Sequence, residues 1–290
     1  MKARLFDLSL VLLICLIWAS NYFVIKAVLP YVDPITFAFL RAVLGGAFVL
    51  ALGGHVVKGI RRVDVLWLTL LGLFNIALFL VFLNFSLVTV NAGVDSTLVY
   101  TQPVIVAVLA PLVGERFTRK RVVGITAAFA GIVVIFLPSI LSSTLVVGDL
   151  YALLASLSWA IAIILFKRWR TTIDAKSVTA IQSLIGGAFI LPVLAYGHPF
   201  INPVPLFWVL LGYNVVLASG LAYVLFWRVL SRMPAAQFSS YFFLVPVFAV
   251  TMAPVLQLSA PPLTEIAGTA LVALGIIIRR DSANGKRYAR

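Results

Sequence analysis

The sequence predicts an all-α polytopic membrane protein with ten transmembrane helices, arranged as two inverted five-helix repeats. Three observations support this fold class: the composition, a series of ten apolar runs, and an internal repeat. Of the 290 residues, 63% are hydrophobic and only 11% are charged, and the mean hydropathy is +1.13. Soluble domains carry about 25% charged residues. The composition therefore argues against a soluble enzyme, a nucleic-acid-binding protein and a disordered chain.

The ten apolar runs each approach the length of about 20 residues that a membrane-spanning helix needs. They are continuous rather than alternating, which excludes the strands of a β-barrel. Short polar segments separate them and leave no room for a soluble domain. The predicted spans are 8–28, 34–53, 64–84, 93–113, 121–138, 149–167, 177–196, 206–228, 238–256 and 262–279.

The basic residues predict the orientation of these spans. All of the 22 Lys and Arg residues except Lys26 and Arg41 fall on one side of a ten-span arrangement. Cytoplasmic loops of membrane proteins carry the excess of Lys and Arg. Both termini and the loop 114–120 are therefore expected in the cytoplasm, and the protein in the bacterial inner membrane. The net charge of +13 is then explained by the orientation of the protein in the membrane. Contact of the basic residues with anionic lipids is a secondary consequence.

An internal repeat divides the chain into halves, 1–140 and 148–290. Each half contains five spans, and because five is odd the second half is expected to insert upside-down relative to the first. Inverted repeats with a binding site near the midplane are common in secondary transporters. At offsets of 141 to 144 residues, the recurring positions are Trp18 and Trp159, Lys26 and Lys167, Gly45-Gly46 and Gly186-Gly187, Pro103 and Pro246, Pro111 and Pro254, Gly124 and Gly268, and Gly131 and Gly275.

With this layout, the chain resembles the EamA branch of the drug/metabolite transporter superfamily. The resemblance rests on Trp18-Ala19-Ser20-Asn21, on Arg41, and on the run from Pro103 through Pro111 to Gly114-Glu115. The second half departs from the pattern, because Gln257-Leu258 stands where Gly-Glu would follow Pro254. Within the branch the chain looks most like the YddG-type exporters of aromatic amino acids. The resemblance implies that spans 1–4 and 6–9 surround a central cavity while spans 5 and 10 support it.

No motif for chemistry or for ATP hydrolysis accompanies these spans. The sequence lacks a phosphate-binding Gly-x-x-x-x-Gly-Lys-Ser/Thr loop and a Cys/His cluster with metal-ligand spacing. Cys15 is the only cysteine, and the nine acidic residues are assigned to span ends or loops. We expect no enzyme activity, cofactor or metal. The expected partners are a small-molecule substrate and membrane lipids, without nucleic acid, for a monomer or weak homodimer.

Arg41 is the most informative single residue. It lies seven residues inside span 2, roughly 10 Å deep at about 1.5 Å per residue. A charge at this depth faces protein or water rather than lipid, so Arg41 could hold a substrate carboxylate through a bidentate pair. Two alternatives stay open, namely a structural pair with Asp95 or Asp33 and an outward-snorkelling side chain. For Lys26, snorkelling at the interface is the preferred interpretation.

Further candidate binding residues are polar or aromatic side chains inside the spans. Trp18 and Trp159 stand out, because tryptophan in membrane proteins collects at the headgroup level rather than at mid-depth. Packing within the bundle or contact with lipid is the alternative role for each aromatic residue. The full predicted set is Trp18, Asn21, Tyr22, Arg41, Asn75, Phe79, Phe82, Tyr100, Gln102, Trp159, Asn214 and Tyr241, with Tyr223 as a further polar candidate.

Four prolines inside spans are predicted to kink their helices, since each removes a backbone hydrogen bond. They are Pro103, Pro111, Pro246 and Pro254. Kinks in spans 4 and 9 could let the two halves of a helix move separately during gating, or could shape the bundle statically. The glycine pairs Gly45-Gly46 and Gly186-Gly187 are expected to permit close contact between helices.

The expected function is export of amino acids, aromatic or apolar ones above all, or of similar small metabolites by alternating access. One alternative is export of another class, such as nucleobases, drugs or organic cations. A membrane enzyme or a scaffold is a further alternative, although the sequence shows no cluster of acid and base groups at one interface. No acidic residue is predicted at mid-depth, so facilitated diffusion fits as well as proton coupling.

Overall fold

The computed structural model describes residues 2–53, 60–90, 92–115, 119–142, 147–196, 198–257 and 263–280. In these ranges the chain is helical and contains no strand, apart from one isolated bridge between Val32 and Ile201. The α-helices are α1 (Lys2–Val28), α2 (Pro34–Leu52), α3 (Arg62–Leu71), α4 (Phe79–Thr89), α5 (Ala92–Val99), α6 (Gln102–Leu109), α7 (Arg119–Ser142), α8 (Val147–Trp169), α9 (Ala175–Tyr196), α10 (Pro205–Tyr213), α11 (Ala222–Leu230), α12 (Ala235–Ser240), α13 (Leu244–Gln257) and α14 (Leu263–Arg280).

Seven helical segments of the described chain are long and apolar enough to cross a membrane. Three shorter apolar helices accompany them, at Val122–Val134, Ala235–Ala249 and Ile266–Gly275. The prediction of an all-α polytopic membrane protein is therefore confirmed. The seven long segments are Leu5–Tyr31, Pro34–Leu52, Arg62–Thr89, Asp95–Val113, Val147–Trp169, Ala175–Ala195 and Pro205–Leu230.

The third span shows where the predicted boundaries are wrong. It was expected to end at residue 84 but continues to Thr89. The polar residues near its end do not interrupt the helix, because their side chains bond to main-chain carbonyls: Asn84 donates to Pro34 and Ser86 to Leu83. The first helix likewise begins at Lys2, six residues before the predicted start.

Two helix pairs connect the halves of the chain by close packing. Helix α2 packs against α9, and α7 packs against α14. A Cβ atom at Gly131 would lie 2.6 Å from the carbonyl oxygen of Gly268, and one at Gly275 would lie 2.4 Å from that of Gly124. At Gly46 it would lie 3.0 Å from the carbonyl oxygen of Ala180. The expectation that glycines permit close helix contact is confirmed.

Substitution of Gly186 is expected to destabilise the fold. A Cβ at this position would lie 2.4 Å from the Cβ of Ile76 and 2.8 Å from the carbonyl oxygen of Gly72. Overpacking of this kind costs about 1–3 kcal/mol, so Gly186→Ala should lower the melting temperature of the purified protein. Gly212→Ala is the matched control, since nothing lies within 4 Å of its added Cβ. Equal melting temperatures for the two variants would contradict the packing.

Two spans contain π-helical segments that the sequence analysis did not predict. Gly72–Leu78 joins α3 to α4, and Asn214–Leu221 joins α10 to α11. A π-helical turn leaves the regular hydrogen-bond ladder and is frequent at functional sites. Both segments lie near the middle of their spans, beside the cavity described below.

The four prolines, all predicted to kink the interior of a helix, lie in different structural positions. Span 4 breaks at Tyr100 and Thr101, and Pro103 lies in the first turn of α6. Pro246 lies in the first turn of α13, directly after a 3₁₀ segment at Tyr241–Phe243. Pro254 lies within α13. For Pro111 the expectation of a kink inside a helix is wrong: it lies in the 3₁₀ turn Ala110–Val113, which ends the span at Gly114.

Candidate functional site

A cavity lies in the middle of the helix bundle. Its walls come from α1, α2, α4, α8, α11 and the break between α5 and α6. The space open to the centre of a water molecule is about 20 Å³, which is room for about one water. The cavity is therefore contracted in this conformation. Its lining residues are Trp18, Asn21, Tyr22, Ile25, Arg41, Phe79, Leu83, Tyr100, Trp159 and Tyr223.

Trp18 and Trp159 meet edge to face at one end of the cavity. Their ring centroids are 5.2 Å apart and their planes differ by 79°. The indole N–H of Trp18 donates to the carbonyl of Ala218, at 3.2 Å, within the second π-helical segment. Trp159 is 1% exposed, and its indole N–H has no hydrogen-bond partner among the described residues. It is a donor at the cavity wall that is available to a ligand.

Arg41 faces the same cavity from α2. Its side chain is 2% exposed, so the snorkelling interpretation is wrong. Its Nε and Nη1 atoms have no hydrogen-bond partner in the described part of the chain. Its Cζ atom lies 5.5 Å from the centroid of the Phe37 ring. A buried guanidinium without an anion is costly, and this arrangement suits a ligand that brings the anion.

The expected structural partner Asp33 is engaged elsewhere. Its carboxylate accepts hydrogen bonds from the backbone N–H groups of Ile35 and Thr36 at the start of α2. It also accepts one from the N–H of Phe200. Asp95, the other expected partner, has no hydrogen-bond partner at either carboxylate oxygen among the residues that the structure describes. Neither structural pair with Arg41 is thus present.

Lys26 and Lys167 make equivalent contacts 141 residues apart. Lys26 Nζ donates to the carbonyls of Leu87 and Val90, at 2.7 and 2.9 Å, where α4 ends. Lys167 Nζ donates to the carbonyls of Leu230 and Met233, at 3.1 and 2.9 Å, where α11 ends. A cation at a helix C-terminus neutralises the carbonyls that the helix leaves unpaired. Lys26 is therefore a helix-end cap, and its side chain is half-buried.

Hydrogen bonds close the bundle at both ends of the cavity. At the end that carries Asp33, backbone contacts join Asp33 to Phe200 and Tyr31 to Asn202. At the opposite end, the carboxylate of Glu115 accepts from the backbone N–H groups of Ala235 and Ala236. Hydrogen bonds thus join the helices at both ends of the bundle.

The side chains along the cavity are aromatic towards one end of the bundle and polar towards the other. Between the tryptophan pair and the end that carries Lys167, the bundle is filled by buried aromatic rings. Phe226 and Phe242 both contact Trp18 and Trp159, with ring centroids 5.4 to 5.8 Å apart. Towards the end that carries Asp33, the wall holds the polar groups of Asn21, Tyr22, Arg41 and Tyr100. A ligand that binds these polar groups therefore lies between the buried aromatic rings and the end of the bundle that carries Asp33.

The structure brings seven of the twelve predicted site residues to this wall: Trp18, Asn21, Tyr22, Arg41, Phe79, Tyr100 and Trp159. Tyr223, the further polar candidate, joins them. Two apolar wall residues, Ile25 and Leu83, were missed. Their signal was helical spacing, since Ile25 follows Tyr22 by three residues and Leu83 follows Phe79 by four.

The other five predicted residues lie outside the wall because they bond or pack elsewhere. Asn75 donates to Gln182 at 3.4 Å, and Gln102 donates to Ser239 at 3.3 Å. Asn214 donates to the carbonyl of Leu210 within its own helix. Phe82 stacks on Tyr151, and Tyr241 is buried in the 3₁₀ segment before α13.

Several proteins similar to this chain are named as transporters. An uncharacterized transporter of Archaeoglobus fulgidus is 30% identical over 84% of this chain and 86% of its own length. The uncharacterized transporter YvbV of Bacillus subtilis is 26% identical over 94% of this chain and 91% of its own. Protein PecM of Dickeya dadantii is 29% identical, covering 91% of this chain and 89% of its own.

The fold is also similar to one already solved. A crystal structure of a chain with 19% identity superposes with a TM-score of 0.78 and covers 96% of this chain and 97% of its own. The model of the EamA-like transporter family matches twice, at residues 5–137 and 146–279. The protein is therefore a membrane transporter rather than an enzyme, and it belongs to the EamA-like transporter family.

Proposed function

We propose that the protein exports amino acids with aromatic or large apolar side chains, or similar carboxylate-bearing metabolites, across the bacterial inner membrane. The observation that carries this proposal is Arg41: a guanidinium, 2% exposed and without an anionic partner among the described residues, faces a cavity with aromatic walls. A guanidinium binds a carboxylate bidentately, while the rings of Trp18, Phe79 and Trp159 offer apolar surface to a side chain.

In the proposed transport cycle, the helix contacts at the two ends of the cavity separate in turn. Space for about one water cannot hold an amino acid, so a substrate enters only when one end separates. Opening at Glu115 and Lys167 admits substrate from one side, and opening at Asp33 and Phe200 releases it to the other. This alternation is the behaviour of a secondary transporter with a site near the midplane.

The proposed architecture is ten spans in two inverted halves, with α7 and α14 as the peripheral pair. The equivalent contacts of Lys26 and Lys167 support it, since each caps a helix end in its own half. The excess of basic residues at 114–120 supports cytoplasmic termini. Lys26 would then lie at the outer side and Lys167 at the cytoplasmic side.

The orientation is tested by cysteine labelling of intact cells with a membrane-impermeant reagent. We expect Ser142→Cys to react and Ser282→Cys, which lies outside the described residues, to react only after the membrane is permeabilised. The native Cys15 is buried and gives the background. If position 282 reacts in intact cells and position 142 does not, the orientation of the protein is the reverse of the proposed one.

The substrate is tested with purified protein in liposomes and a panel of labelled amino acids. Counterflow, in which an unlabelled internal compound is exchanged for a labelled external one, needs no driving force. We expect exchange of aromatic and large apolar amino acids and weak exchange of their carboxylate-blocked methyl esters. Exchange of the esters or of organic cations in preference to the free amino acids would contradict the proposal.

A further inference from the structure

Asp95 is a buried acid that the transport site described above does not use. It lies in the first turn of α5, at the start of the span Asp95–Val113, and is 0% exposed. Neither of its carboxylate oxygens has a hydrogen-bond partner in the described part of the chain. The sequence analysis placed this acid at a span end, where water would solvate it. The structure instead removes it from solvent.

A carboxylate in such a position is unstable unless it takes up a proton or lies near a cation. Transfer of an unpaired charge to an apolar interior is costly, and ionisable residues within membrane spans are typical of ion and proton pathways. The hydroxyl of Ser86 lies beside Asp95 but donates to the carbonyl of Leu83. The ammonium of Lys26 is within electrostatic reach, but in the described part of the chain it donates to the carbonyls of Leu87 and Val90.

Among the elements that pack on α5, the charged and titratable neighbours of Asp95 come from α1, from α8 and from its own span. Helix α1 contributes Lys26 and Tyr22, and α8 contributes Asp149. Within the same span, Tyr100 follows at the break before α6. Helix α4 presents Ser86, and α13 has no titratable residue. The titratable residues of α7 are confined to its first turn, Arg119–Arg121. The nearby charges are thus one ammonium and one second carboxylate.

Two tyrosines connect Asp95 to the transport cavity. Tyr22 and Tyr100 both line the cavity, and their ring centroids are 6.2 Å apart. Their hydroxyls interact with each other, and both side chains are within electrostatic reach of Asp95. A charge that arrives at these hydroxyls from the cavity therefore acts on the Asp95 carboxyl group.

We propose that Asp95 is the proton-binding site of the transporter, and that a proton held there is exchanged for the substrate. This inference rests on the proposed function, because the substrate must carry an ammonium group beside the carboxylate that Arg41 holds. With the carboxylate at Arg41, the ammonium lies against the hydroxyls of Tyr22 and Tyr100. Its positive charge stabilises the ionised form of Asp95, so substrate binding expels the proton.

The step is a simple proton transfer. The O–H bond of the Asp95 carboxylic acid breaks, the electron pair stays on the carboxylate, and the proton passes to water through the open end of the cavity. When the substrate leaves, the carboxylate loses its nearby ammonium and takes up a proton from the side to which the cavity then opens. One substrate moves outward for each proton that moves inward.

The test uses the full-length protein in liposomes with the membrane potential clamped at zero by potassium and valinomycin. A gradient of one pH unit with an acidic lumen should accumulate labelled substrate about tenfold, because one proton is exchanged per substrate and each 1.4 kcal/mol is tenfold. Asp95→Asn keeps the shape of the side chain but cannot bind a proton. It should exchange substrate by counterflow and accumulate none above the external concentration.

Asp149→Asn is the matched control, a second acid near Asp95 that should keep gradient-driven accumulation. Accumulation by Asp95→Asn, or accumulation only with an alkaline lumen, would overturn the inference. Counterflow by the wild type without any response to the pH gradient would overturn it too, while leaving the proposed function intact. Absence of counterflow for every compound of the panel would instead refute the proposed function.

A second measurement does not depend on any substrate. The infrared C=O band of a carboxylic acid in the purified protein in lipid should rise and fall with pH. The other acidic residues also absorb in this region, so the Asp95 component is the part of the band that is lost in Asp95→Asn and kept in Asp149→Asn. The same pH-dependent band in Asp95→Asn would overturn the assignment of the proton to this residue.

Discussion

Replacement of Arg41 by glutamine is expected to raise the KM for free amino acids about 10–100-fold, since a hydrogen bond to a charged group contributes about 1.5–3 kcal/mol and 1.4 kcal/mol is tenfold. Arg41→Lys should raise the KM less, because an ammonium keeps the charge but lacks the planar fork. The KM for carboxylate-blocked esters should be unchanged in both variants. Transport kinetics in liposomes with the two substrate types check this expectation.

Thermal stability separates this role of Arg41 from a structural one. The guanidinium has no ion pair in the described ranges, so its removal leaves no buried carboxylate unpaired. Arg41→Gln should therefore melt at or above the wild-type temperature. Substrate should raise the melting temperature of the wild type by mass action and, at the same concentration, raise that of Arg41→Gln less. A lower melting temperature for the variant, with equal loss of free and blocked substrates, would show that Arg41 holds the bundle together.

Much of the fold could be predicted because a membrane imposes strong constraints on sequence. An apolar run of about 20 residues has few alternatives to a helix, and the spans lie close to the predicted positions. The features that the sequence did not predict depend on tertiary contacts. The extension of span 3 to Thr89 needs Pro34 to accept from Asn84, and no local pattern shows a partner 50 residues away. The π-helical turns also have no signal in hydropathy.

The candidate site could be predicted in part, for a related reason. Arg41 and the tryptophans violate the usual rules for depth in a membrane, and the cavity wall contains all three. Asn75 and Gln102 violate the same rules, yet each donates a hydrogen bond to a neighbouring helix, to Gln182 of α9 and to Ser239 of α12. A polar side chain inside a span thus marks either a site or an interhelical hydrogen bond, and only the structure distinguishes the two. Asp95 was predicted only as a span-end acid and a candidate structural partner of Arg41, because its depth depends on where the neighbouring helices end.

The tryptophan pair is expected to give the second large effect. Trp159→Ala should raise the KM at least about tenfold, since it removes the ring surface and a favourable aromatic pair. It should also lower the melting temperature, because deletion of a buried tryptophan costs about 3–5 kcal/mol. Trp159→Ala therefore changes both substrate binding and stability. A phenylalanine variant separates the two effects. Trp159→Phe keeps a ring and removes only an indole N–H that has no partner in the described chain.

We expect Trp159→Phe to raise the KM about 3–10-fold, because a neutral hydrogen bond to the substrate contributes about 0.5–1.5 kcal/mol. Trp18→Phe should instead affect the fold, since it leaves the carbonyl of Ala218 without its donor. Trp208→Phe is the control: its side chain is 57% exposed and lies outside the cavity wall. Transport kinetics and melting curves of these three phenylalanine variants distinguish an effect on substrate binding from an effect on the fold. An unchanged KM in both Trp159 variants would mean that the ring does not touch the substrate, and the site would then have to lie between Arg41 and the tyrosines alone.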